Sequence, residues 1–101
     1  MPRFILAFRG GMPKSPEEGQ KMMTDWNGWM EALGSSLVDK GAGFGKSRFL
    51  SRPGREEKAG DPLSGYSVVE APDIEAALKI AGRNPIFALG GTIEVAECLQ
   101  M

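Results

Sequence analysis

Histidine is missing from the 101 residues, and cysteine and tyrosine occur once each. Without imidazole there is no Ser-His-Asp or Cys-His nucleophile system, no His general base and no HExxH metal helix. A lone Cys98 makes no internal disulfide, and with no His beside it there is no zinc-ligand set, so neither metal nor cofactor is expected. Charge of one sign is also lacking: twelve basic and thirteen acidic side chains leave a formal charge of -1. Nothing general draws such a chain to nucleic acid or anionic lipid. No long hydrophobic run exists either. The apolar start, Phe4 to Phe8, is closed by Arg9, too short for a signal-peptide core or a bilayer span, so a cytoplasmic protein without a membrane partner is expected. Any chemistry has to rest on carboxylates, Lys, Tyr or Cys98.

What is present describes a globular chain of one domain, 42% hydrophobic and 25% charged. A chain of this length buries about two thirds of its unfolded surface, so help from a partner subunit is in keeping with its size. Arg3 to Arg9 alternates as a strand, with Phe4, Leu6 and Phe8 on one face and Ile5 and Ala7 on the other. Both faces are apolar, which places the strand in a sheet covered on both sides. Ser15-Pro16-Glu17-Glu18 has the marks of a helix start: a capping serine, proline in the first turn and acidic residues near the positive end of the dipole. Met22, Trp26, Trp29, Met30, Leu33 and Leu37 then advance by three and four, predicting a long helix that stops at Gly41.

Phe44 to Leu50 reads as a second strand, and "SRPGREEKAGD" from Ser51 to Asp61 as an exposed loop. Tyr66 to Glu70 is the third strand. Asp73 caps a second helix with Ile74, Ala77, Leu78 and Ala81 as its apolar face, and Thr92 to Cys98 closes the chain. The order strand, helix, strand, strand, helix, strand is the ferredoxin-like βαββαβ arrangement: an α+β fold, a four-stranded antiparallel sheet with two helices on one face. The bare face, apolar at Ile5 and Ala7, predicts a homodimer with two sheets back to back.

"GAGFGKS", Gly41 to Ser47, nearly spells a phosphate-binding loop. That pattern needs glycine five positions before Gly45, where Lys40 stands, and it needs a helix afterwards, where a strand is predicted. Spacing and context both fail.

"PLSGYSVVEAPDIEAALKIAGRNP" followed by "GGTIEVAEC" resembles the YCII-related proteins, including their DGPF-domain branch, within the dimeric α/β-barrel superfamily. The likeness extends to the opening strand and to a Trp-bearing helix ending in Asp-x-Gly, so that it covers most of the chain as one YCII-related domain, residues 1–101. It implies a ferredoxin-like homodimer with a small-molecule cleft in each subunit. The family's suspected chemistry rests on a His-Asp pair. Here Asp39 matches the acidic position, Met30 stands roughly where the histidine would fall, and "REEKAGDPLSGY" replaces the DGPF signature. The dyad is not inherited.

Two expectations follow. One is a dimeric small-molecule-binding domain; the other is a lyase- or isomerase-like enzyme with Asp39 and Tyr66 as acid and base in a cleft between the first helix and the sheet. Phe8, Trp26 and Trp29 are candidate apolar contacts for a ligand, although an aromatic stripe at helical spacing is ordinarily core. Lys46 and Arg48 are candidate anion contacts, or surface charges paired with Glu56, Glu57 and Glu94.

Overall fold

β1, Arg3–Arg9, is the strand read from the sequence, and it sits inside a four-stranded sheet. The computed structural model describes residues 1–58 and 60–100. β1 is flanked by β5, Leu63–Glu70, and β6, Thr92–Cys98, both antiparallel to it. β2, Leu37–Gly43, pairs antiparallel with the far side of β5, so the order across the sheet is β2-β5-β1-β6. α1, Pro16–Leu33, lies between β1 and β2, and α2, Ile74–Gly82, between β5 and β6. No helix among the described residues is long and apolar enough to cross a membrane.

Strand alternation divides the sheet into two faces. Phe4, Leu6 and Phe8 stand opposite Val69, Ser67 and Gly65 on β5 and Glu97, Val95 and Ile93 on β6. This face carries the core, in which Phe4, Leu6, Phe8 and Val69 are buried with Trp29 of α1 and Ala77 and Ala81 of α2. The Trp29 indole N–H donates to the Ile80 carbonyl at 3.0 Å, fastening α1 to α2. α2 buries its alanines and leaves Ile74 and Leu78 exposed, so its inner face is narrower than the predicted stripe. Small residues at 77 and 81 let this helix sit close to the sheet.

Both helix starts follow the sequence. The Ser15 hydroxyl accepts from the Glu18 N–H at 3.1 Å, and the Asp73 carboxylate from the Ala76 N–H at 2.9 Å. The end of α1 differs from the expectation. The helix stops at Leu33, Gly34 takes φ 54, and one 3-10 turn, Gly34–Ser36, leads into β2. Gly34-Ser35-Ser36 is a poor helix segment, and Gly34 supplies the C-cap seven positions early. Leu37 still reaches the core, but from a strand opposite Val69. The apolar spacing therefore continued across a change of secondary structure.

Gly41 does take a positive φ, 74°, within a bulged strand rather than at a helix end. A side chain there would run into the Tyr66 carbonyl. The second strand of the sheet is thus Leu37–Gly43 and not Phe44 to Leu50, of which residues 44–48 have no regular structure. The predicted polar loop is a hairpin: β3, Phe49–Arg52, pairs with β4, Arg55–Glu57, as a separate two-stranded sheet. Arg52-Pro53-Gly54-Arg55 turns it, with Gly54 at φ 80, the Pro-Gly chemistry of a type II turn.

Candidate functional site

Small residues on the sheet open a cleft under α1. β5 turns Gly65 and Ser67 toward the helix where its next inward residue is Val69. Gly65 is required there, because an added Cβ would lie 2.9 Å from the Ala42 carbonyl oxygen. With no long side chain at these two positions, α1 and the sheet enclose about 1150 Å³, bordered by Phe8 of β1, Gly19, Met22, Trp26 and Met30 of α1, and Gly41 to Gly43 of β2. Gly10 to Pro13 close one end. Gly11 can pass there only because it lacks a side chain, which would collide with Ile86.

The lining is soft and apolar. Met12, Met22, Met23 and Met30 supply flexible, polarisable thioethers, and Phe8 and Trp26 meet edge to face with centroids 4.8 Å apart. Gln20, Thr24, Asn27 and Ser64 add hydrogen-bonding groups. The Ser64 hydroxyl is buried and has no protein partner among the described residues. The Ser67 hydroxyl donates to the Lys40 carbonyl at 2.9 Å, tying the bulge of β2 to the floor of the cleft. No group of three His, Cys, Asp or Glu that could hold a metal ion exists among the described residues.

Of the candidates named from the sequence, Phe8 and Trp26 line the cleft. Trp29 does not; it is 6% exposed and committed to the Ile80 carbonyl. Lys46 lies in the irregular 44–48 stretch, and Arg48 donates from Nε to Glu56 at 2.9 Å, so neither borders this cleft. Arg48 and Glu56 belong to a second depression of about 920 Å³ beside the hairpin. Within it Arg48 pairs with Glu56, and the Arg9 guanidinium donates to the Asp61 backbone carbonyl at 3.1 Å.

Asp39 and Tyr66 do come together, the Tyr66 hydroxyl donating to the Asp39 carboxylate at 3.2 Å. Their place is not the one expected. Since Gly65 and Ser67 face α1, the Tyr66 side chain between them emerges on the opposite face, across from Ala7. Asp39 pairs with Val68 and is not among the residues bordering the cleft; Tyr66 meets Phe44 at its rim, rings stacked 5.9 Å apart. The hydrogen bond to Asp39, and then the negative charge of that carboxylate, raise the Tyr66 pKa above its ordinary value. A phenol that holds its proton so firmly does not serve as a base near neutral pH.

The residues that sequence reasoning passed over are Met12, Met23, Lys40, Ser64, Gly65 and Ser67. The available signal was "SGYS" in a strand facing a methionine-bearing helix: small inward residues opposite large flexible ones. No protein-family model matches the chain, and no curated protein matches it.

Proposed function

We propose that this chain is a YCII-like, ferredoxin-like homodimer of the cytoplasm that binds a small, largely apolar molecule in the cleft beneath α1. The observation that carries the reading is the cleft itself, about 1150 Å³ bordered by methionines, Phe8 and Trp26. The sheet order β2-β5-β1-β6 supports the ferredoxin-like assignment. The dimer draws on the sheet face turned away from the helices. There Ile5, Ala7, Val68 and Ala96 form an apolar centre between the Arg3–Glu70 and Arg9–Glu94 ion pairs. A second copy about a twofold axis would set apolar centre on apolar centre.

The catalytic alternative, lyase- or isomerase-like chemistry by Asp39 and Tyr66, rests on their hydrogen bond. It has less support, since the raised Tyr66 pKa disfavours a base and Asp39 stands outside the cleft.

Gly19→Leu tests the binding reading without endangering the fold. Gly19 borders the cleft inside α1, and an added Cβ would meet only Pro13, 3.8 Å away. Replacing glycine in a helix gains roughly 0.5–1 kcal/mol, while leucine projects an apolar side chain into the cleft and obstructs it. In a thermal-shift screen of small metabolites, a ligand at a hundred times its Kd stabilises by about 2.7 kcal/mol, roughly 10 °C or more for a domain of this size. The expected result is a hit that stabilises the wild type and has no effect on Gly19→Leu. A hit that stabilises both alike would locate binding elsewhere and overturn the reading.

A further inference from the structure

The charge inventory of the cleft selects among ligands, an inference that rests on the binding reading above. Among the described residues that border it there is no Asp, Glu or Arg, and Lys40 is the one that carries a charge. A cationic group brought into this site would lose part of its hydration and meet no carboxylate in return. A doubly charged anion would leave one charge unanswered. Met12, Met22, Met23 and Met30 account for four of the chain's six methionines, and with Trp26 they accommodate an apolar body without fixing one shape.

We infer that the ligand of this cleft is an apolar monoanion, its body against the methionines and Trp26 and its single negative charge answered by Lys40 at the border.

Three probes of one chain length separate charge from apolar contact: octanoate, 1-octanol and octylammonium, each titrated at low ionic strength against a bound naphthalene sulfonate dye. Octanoate should bind about tenfold more tightly than octanol, the worth of one hydrogen bond to a charged group, and octylammonium more weakly than either. Lys40 is exposed, so Lys40→Gln leaves the core untouched. It should bring octanoate to within about twofold of octanol, a screened surface charge having been removed. Octylammonium binding as well as octanoate, or Lys40→Gln leaving the ratio intact, would overturn the monoanion assignment while leaving the binding reading in place. If none of the three probes and no dye binds, the binding reading itself falls.

Discussion

Gly65 and Ser67 are worth more to this molecule than their size suggests, because each is small where a strand facing a helix would ordinarily carry Val or Leu. Between them stands Tyr66, the chain's single tyrosine. That gives its ionisation an unobstructed optical signal. The hydrogen bond to Asp39, followed by the carboxylate's charge, raises its pKa from an ordinary 10.0. A tyrosine whose folded pKa exceeds its unfolded one contributes stability that is complete below the unfolded value and is lost as pH rises through the folded one. In this chain that window opens near pH 10 and lies entirely on the alkaline side. Absorbance at the phenolate band should therefore titrate above the ordinary value in the wild type, and Asp39→Asn should return the midpoint toward it. An unchanged midpoint in Asp39→Asn would mean that the 3.2 Å hydrogen bond is not formed in solution.

At the scale of elements, the strands and helices with strong local chemistry are legible in the sequence. β1, β6 and the capped starts of α1 and α2 are set by alternation and by Ser15 and Asp73, signals that operate within a few residues. The end of α1 was not legible, since Leu37 satisfies the helical period while lying in β2. Periodicity reports which side chains reach the core, and a strand that follows a helix onto the same core extends the pattern. The hairpin was hidden by its polarity, although Pro53-Gly54 carried its turn. The cleft was hidden because it is made by what β5 omits, and because Asp39 and Tyr66 drew notice through their chemistry rather than their side of the sheet. The hairpin also carries an energetic consequence. β3 and β4 pair chiefly with each other, and Phe49 and Leu50 are 50% and 59% exposed. Two strands alone are marginally stable in water. Hydrogen exchange followed by mass spectrometry should find amides of residues 49–57 exchanging fast and those of β1 and β5 slowest of all. Protection of the hairpin equal to that of β1 would show it docked on something further.

For the whole molecule, thinness matters most. The described chain measures 42 × 42 × 18 Å, the thickness of one sheet with one layer of helices. Its radius of gyration, 14.6 Å, exceeds the roughly 13 Å usual for a compact chain of this length, in keeping with a projecting hairpin. The uncovered sheet face holds half-buried Ile5, Ala7 and Val68 at its centre. Light scattering at micromolar concentration should give twice 10.9 kDa for the wild type and 10.9 kDa for Val68→Lys, which places a charge at the middle of that face. A wild type at the single-chain mass would remove the dimer.

The cleft is the central claim, and backbone amide chemical shifts during a titration with the naphthalene sulfonate dye test it most directly. The account predicts saturable shifts at Gly10 and Gly11, at Gly41 to Gly43, at Ser64 to Ser67 and along Met22 to Met30, with the hairpin silent. Shifts confined to the hairpin or to the open sheet face around Ala96, with the amides of Gly10, Gly11 and Met22 to Met30 unmoved, would contradict it.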